Sequence, residues 1–271
     1  MVILVFADIF GRTGRRAIAQ TLPDLKLRYQ PDFILGNVEN LAGGRGVNRK
    51  TLFELKEMGF HGFTTGNHVW DNKEVYGLFE SEPHLFRPAN FPNPPGDRCP
   101  GRGYGFVEAD GKRLFVINLI GRVFMDMGDC PFATVDRILA ENRVDCPVWV
   151  DMHADATSEK YAMGWHLAGR VAAVTGSHSH VQTADDRILP GKTAYITDVG
   201  MTGSFDSVIG LRPAEIIRKF MTRRPQSTQG AKENPGICAV VVKIGDDHRA
   251  ETIERLRYSV NVTEEGNDNE P

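Results

Sequence analysis

Residues 2–40 read VILVFADIFGRTGRRAIAQTLPDLKLRYQPDFILGNVEN, two apolar runs bracketing an amphipathic one. The first run, VILVFAD, is short and continuously apolar, as a strand buried on both faces must be. From Arg15 to Tyr29 the side chains of Ile18, Leu22, Leu25 and Leu27 recur on or near one face, which predicts a helix bent at Pro23. DFILGN (32–37) is then a second buried strand. Strand, helix, strand is the βαβ unit, and it puts a parallel sheet at the start of the chain. The alternation repeats at once. Asn48 is placed to cap a helix through Met58, Gly59 to end it, and FHGFTTGN (60–67) to form a third strand. Asp71, with Glu74 three residues on, has the spacing of a capping box for a helix to about Glu80.

Residues 91–103, FPNPPGDRCPGRG, form a loop, after which strands resume. FVEADGKRLFVINLI (106–120) predicts a hairpin, because Asp110-Gly111 suits a type I′ turn. A helix over Phe132–Asn142, strand PVWVDMH (147–153), a helix over Thr157–Ala168, and strands VAAVTGS (171–177) and TAYITD (193–198) follow. GICAVVVKIG (236–245) and ETIERLRYSV (251–260) predict a second hairpin around Asp246-Asp247. Residues 1–261 are expected to form one domain, and the acidic stretch 262–271 a disordered tail with nothing to bury. The expected class is α/β, a sandwich of two mixed sheets flanked by helices, parallel in the first half of the chain and with hairpins in the second.

The chain has 271 residues, 41% of them hydrophobic, with 32 Lys+Arg against 35 Asp+Glu and a formal net charge of -3. That is ample for a packed core and provides no global basic field for a nucleic-acid partner. No stretch approaches about 18 apolar residues and the first residues lack the order of a secretory signal, so no membrane association is expected. Cys99, Cys130, Cys146 and Cys238 are widely spaced and form no CxxC pair, which suggests neither a disulfide framework nor a thiolate zinc site and fits a reducing cytoplasm.

Open α/β sheets bind ligands at the C-terminal ends of their strands. Here those ends carry Asp8, Glu39-Asn40, Asn67-His68, His153 and His178-Ser179-His180. Buried together, these groups need a cation to offset their desolvation. Carboxylate, amide oxygen and imidazole suit Mn, Fe, Zn or Co, not copper or an iron–sulfur centre. About seven donors exceed what one tetrahedral ion takes and match two ions sharing a carboxylate, an arrangement that clamps both oxygens of an in-line phosphoryl displacement. Hydrolysis of a phosphate ester follows as the expected chemistry. A dinucleotide-binding oxidoreductase is disfavoured, since GGRG (43–46) lacks the G-x-G-x-x-G spacing after the first strand.

The ordered motifs Asp8, GNVEN (36–40), GNH (66–68), His153 and GSHSH (176–180) resemble the calcineurin-like metallophosphoesterases. DIFGRTGRR, NVEN, TTGNHVWDN and TDVGMTGS resemble more closely the bacterial YmdB-like subfamily of 2′,3′-cyclic-nucleotide phosphodiesterases, over residues 2 to about 260. The resemblance implies a four-layer metallophosphoesterase-like sandwich and two metal ions, Fe and/or Mn with Zn as a further candidate. It assigns Asp8, Glu39, Asn40 and His180 to one ion, and Glu39, Asn67, His153 and His178 to the other. The sequence departs from the superfamily at Phe10, where a histidine is usual, and Asn40 is implied to replace it. Glu39 is then the bridging carboxylate. A metal-bridging hydroxide is the implied nucleophile, and His68 the catalytic residue that stabilises the transition state and protonates the leaving oxygen.

Two divalent ions outweigh the charge of Asp8 and Glu39, so the pocket is expected to be electropositive inside a chain of net charge -3. The partner expected is a small phosphodiester, a cyclic nucleotide, with a homo-oligomer compatible with the hairpins. The alternative is a regulatory protein that holds a nucleotide on its metals with little turnover; His68 speaks against it, because binding alone needs no proton donor. Asn37 stays open between turn residue and ligand. So do the 11–16 loop, which joins a strand to a helix but lacks the P-loop Lys-Ser/Thr, and the Gly- and Ser-containing segment 198–212.

Overall fold

The computed structural model describes residues 1–125 and 128–261. Strands β1 (Val2–Ile9), β2 (Phe33–Asn37), β3 (Gly62–Thr64) and β4 (Leu85–Phe86) run parallel, connected through helices α1 (Gly11–Tyr29), α2 (Arg49–Glu57) and α3 (Val75–Ser81). A second sheet collects β5 (Tyr104–Ala109), β6 (Lys112–Ile120), β7 (Val148–His153), β8 (Ala173–Ser177), β9 (Arg187–Leu189) and β10 (Thr193–Ile196) in the order β5-β6-β7-β8-β10-β9. Helices α4 (Pro131–Glu141) and α5 (Thr157–Leu167) make its crossovers. The chain then returns to the first sheet through β11 (Met201–Ser204), α6 (Pro213–Thr222), β12 (Pro235–Ile244) and β13 (Ala250–Ser259), giving the order β13-β12-β11-β1-β2-β3-β4.

The side-chain alternation of β1 shows why two sheets stack. Ile3, Val5 and Ala7 face the interior between the sheets, where they join Phe33 and Leu35 from β2 and Leu114, Val116 and Trp149 from the other sheet. Leu4, Phe6 and Ile9 point the other way, onto Ile18 and Leu22 of α1 and Leu52 and Leu55 of α2. On the far side, Phe115, Val150 and Val174 pack against Val135 and Ile138 of α4 and Met163 and Leu167 of α5. Three apolar layers therefore separate four layers of structure, α/β/β/α, as expected.

Parallel pairing is not confined to the first half of the chain. β6, β7, β8 and β10 are parallel neighbours, and among the described residues hairpins occur only at sheet edges, in β5–β6, β9–β10 and β12–β13. The reason is the same βαβ logic: α4 and α5 each return the chain to the start of the sheet. The capping box also fails. α3 begins at Val75 without a side-chain cap, Asp71 is drawn to His68, and the Glu74 carboxylate accepts from the backbone N–H of Arg49 at 3.0 Å. Segment 198–212 contains β11, which pairs with both β1 and β12. The expected tail 262–271 lies outside the described residues. Among the described residues no helix is long and apolar enough to cross a membrane.

Candidate metal centre

The C-terminal ends of β1, β2, β3, β7 and β8 converge across the two sheets. Ligand atoms of Asp8, Glu39 and His180 lie within 4.8 Å of one another, as do those of Glu39, His153 and His178. Glu39 belongs to both groups and is 1% exposed. Asn40 Oδ1 stands 3.2 Å from His180 Nε2, and Asn67 Oδ1 3.0 Å from His153 Nε2. All seven expected ligands are thus brought together. His68 adjoins them through its backbone N–H, which donates to Glu39 Oε2 at 3.2 Å.

The hydrogen-bond partners decide which ring nitrogens are available. His180 Nδ1 donates to the carbonyl oxygen of Ile209 at 3.0 Å, which leaves Nε2 a lone pair in the neutral ring. Asn40 Nδ2 donates to the Gly44 carbonyl at 3.0 Å, so Oδ1 is the atom turned toward that lone pair. Two acceptors face each other, and a cation between them resolves the repulsion. The second group has the same property. Ser177 Oγ donates to Asp151 at 2.8 Å and must accept from His153 Nδ1 at 2.9 Å. His153 Nε2 then meets two oxygen acceptors, Asn67 Oδ1 and Glu39 Oε2, at 3.0 and 3.2 Å, with His178 Nδ1 at 3.1 Å. Asp8 Oδ1 is buried with no hydrogen-bond partner. These residues fit divalent cations, and the neutral imidazoles are oriented through their second nitrogen as metal-binding histidines are.

Burial and mutual charge shift every titratable group of the cluster. Burial pushes the Asp8 carboxyl well above the usual range, and Asp198 and Glu39 push it further. Burial also opposes charge on Glu39, but His153 outweighs it and holds Glu39 down to about 2, while Glu39 and Asp8 raise the equally buried His153 to about 9. Burial and the His153 charge take His178 down to about 3. The backbone is forced as well. Asp8, His178 and His180 have φ of 44, 99 and 63°, left-handed conformations that cost on the order of 1–3 kcal/mol each and concentrate at functional sites. Gly66 is required by space, since a Cβ there would lie 2.3 Å from both Glu39 Oε2 and His153 Nε2.

Asp71 and Asn37 take roles other than those read from the sequence, and Asp151 was not singled out there. Asp71 Oδ2 holds His68 Nδ1 at 2.9 Å, and Nε2 of that ring has no hydrogen bond among the described residues. Asn37 is a positioning residue. Its Oδ1 accepts from the Glu39 N–H at 3.1 Å and its Nδ2 donates to Asp151 at 3.1 Å. Asp151 also takes Thr64 Oγ1 at 2.5 Å, so one buried carboxylate ties β2, β3 and β8 beneath the ligands. The one visible signal was a carboxylate in the middle of the apolar run PVWVDMH. Phe10, where the superfamily has a histidine, packs its ring edge-on to His180, centroids 6.0 Å apart.

The His-x-His turn rests on a buried ion pair. Lys160 and Asp198 are both 1% exposed and meet at 2.7 Å, and Asp198 also accepts from Ser179 N and Oγ at 3.0 and 2.8 Å. Lys160→Met strands the carboxylate in the interior and is expected to lower unfolding free energy by about 3–5 kcal/mol in chemical denaturation. A loss below about 1 kcal/mol would show that the pair is not a strut.

The fold and the donor set define the metallophosphoesterase class. Within it the chain belongs to the YmdB-like protein family, whose match spans residues 4–256. It is 44% identical over 258 residues to the 2′,3′-cyclic-nucleotide 2′-phosphodiesterase of Bacillus subtilis, covering 94% of this chain and 96% of that one. Among solved structures, a hypothetical protein from Thermus thermophilus superimposes with a TM-score of 0.88 at 40% identity, over 96% of this chain and 99% of that one. A phosphatase from Mycoplasma pneumoniae gives 0.90 at 31%, over 96% and 93%. The NAD nucleotidase of Haemophilus influenzae, at 13% identity and a TM-score of 0.56 over 96% of this chain and 56% of that one, shares the fold alone.

Proposed function

We propose that this chain is a phosphoric diester hydrolase that opens 2′,3′-cyclic nucleotides at the 2′ ester, using two divalent cations, Fe and/or Mn. The observation that carries the reading is the pair of acceptor clusters sharing Glu39, each needing a cation, beside the oriented His68. The name of the B. subtilis relative supports the substrate class. Asp8, Glu39, Asn40 and His180 would hold one ion, and Glu39, Asn67, His153 and His178 the other. When bound, the ions supply a nucleophile at neutral pH and neutralise charge on the non-bridging phosphoryl oxygens.

The protein's own part is positional and protonic. Asn37 and Asp151 fix Glu39 and His153, so the donors need no rearrangement when charge develops on phosphorus. Asp71 holds His68 through Nδ1 and leaves Nε2 to deliver a proton to the leaving O2′. The product is then the 3′-phosphate. A regulatory protein that only bound nucleotide would gain nothing from this pair. The four cysteines are free, which supports the cytoplasmic location included in this reading.

The test is hydrolysis of 2′,3′-cyclic AMP, with the product identified by ³¹P NMR. Turnover is expected to fall at least about 100-fold on chelation and to return with Mn or Fe. Tight nucleotide binding with no hydrolysis of any diester under any metal would overturn the proposal.

A further inference from the structure

The loop GRVFM (121–125) follows β6 and takes no part in the metal cluster, yet it begins beside it. Ile120, the last residue of β6, pairs with His153, and the Gly121 N–H donates to the His153 carbonyl at 2.9 Å. On its other side the loop meets Asn90, whose chain neighbour Phe91 packs on Trp70, two positions beyond His68, with ring centroids 6.1 Å apart. The loop therefore leaves the sheet between a candidate ligand and the segment that carries the proton donor.

Two buried side chains hold its feet. Asn90 Oδ1 accepts from the Ile120 N–H at 2.8 Å, and Nδ2 donates to the carbonyls of Ile120 and Asp129 at 2.8 and 2.9 Å, so one amide clamps both ends. Glu159, in the first turn of α5, accepts from the N–H of Arg122 at 3.0 Å and of Val123 at 3.2 Å. These fixed feet carry an unsatisfied tip. Phe124 is 86% exposed, more than any other large apolar side chain among the described residues, and its φ is 62°. A phenyl ring gains by leaving water and a bulky residue avoids the left-handed region, so both its exposure and its backbone cost stability. Three residues from Gly121, it stays within about 11 Å of that anchor by chain length alone.

A nucleotide whose phosphate sits at the metals needs a surface for its base, and the other rings near the cluster are engaged. Phe10 is buried against His180, and Trp70 packs on Tyr76, Phe79 and Phe91. Phe124 has a free face.

We infer that Phe124 is the base-binding residue of this site: its ring stacks on the nucleobase of a 2′,3′-cyclic nucleotide, so that the base contributes to affinity and not to the chemical step. The inference rests on the hydrolase reading above and deepens it. No bond is made or broken at the ring.

The experiment compares Phe124→Ala and Phe124→Trp with the parent, all metal-loaded, on 2′,3′-cyclic AMP and on ribose 2′,3′-cyclic phosphate, which lacks the base. Metal content equal to the parent's establishes that each variant is folded. Phe124→Ala is expected to raise KM for 2′,3′-cyclic AMP about tenfold with kcat within about twofold, as loss of one base–ring stack requires. On the base-free diester kcat/KM should stay within about twofold, because no stack is there to lose. Phe124→Trp, which keeps a ring, is expected to retain the parental KM. An unchanged KM in the alanine variant, equal losses on the two substrates, or a tryptophan variant as weak as the alanine one overturns the assignment. So does gel filtration in which the alanine variant alone dissociates, since a second copy would then cover the ring. If the parent hydrolyses no diester, the hydrolase reading fails separately. The stack is then judged by equilibrium dialysis of 2′,3′-cyclic AMP: binding about tenfold weaker in Phe124→Ala supports it, and equal binding, or none to the parent, overturns it.

Discussion

Glu39→Gln is expected to take metal content from about two ions per chain to below one and to cut diester turnover by at least about 10³-fold. Glutamine keeps the volume and one acceptor oxygen but removes the charge, and it cannot bridge two cations as a carboxylate does. Among the described residues Glu39 alone is common to both donor groups, so its loss weakens both at once, whereas loss of Asp8 or His178 touches one. The buried His153 loses its nearest counter-charge in the same step, at 3.2 Å. Elemental analysis after gel filtration and turnover of 2′,3′-cyclic AMP read the two effects. An unchanged circular dichroism spectrum separates them from unfolding. A variant that kept its full metal content would show that Glu39 does not bridge.

The candidate ligands were legible because sheet geometry places them. Apolar runs that end at Asp8, Asn67 or His153 announce a donor at the C-terminal edge of a strand, and parallel pairing brings those edges side by side. What lay beyond reach was the support underneath. Asn37 and Asp151 are 114 positions apart in sequence and come together only because the two sheets stack face to face. The local pattern around Asp71 is equally consistent with a helix cap or with a partner for His68, and spacing alone cannot separate them, since both use an i, i+3 reach. The sandwich decides. α3 starts four residues later, and Asp71 is left where the His68 ring can meet it. β11 escaped notice for a different reason: four residues that include a glycine give no periodicity, and its place between β1 and β12 is fixed by tertiary pairing.

His68→Ala separates proton delivery from metal binding. It is expected to retain both ions and lose about 10²–10⁴-fold in turnover of 2′,3′-cyclic AMP, the usual contribution of a positioned general acid. Alanine leaves the backbone N–H that donates to Glu39 Oε2, so this carboxylate keeps that hydrogen bond. The discriminating measurement is a second substrate, a bis(nitrophenyl) phosphate, whose leaving group departs as a stabilised phenolate and needs no proton. With it the loss should shrink to about tenfold, because charge stabilisation is all that is missing. Asp71→Asn keeps the ring in place and withdraws the counter-charge, so it should show the same pattern at smaller amplitude, about 10–100-fold on the cyclic nucleotide. Equal losses on both substrates would reassign His68 from proton donor to pure electrostatic stabiliser, and loss of metal in the alanine variant would place it among the ligands instead.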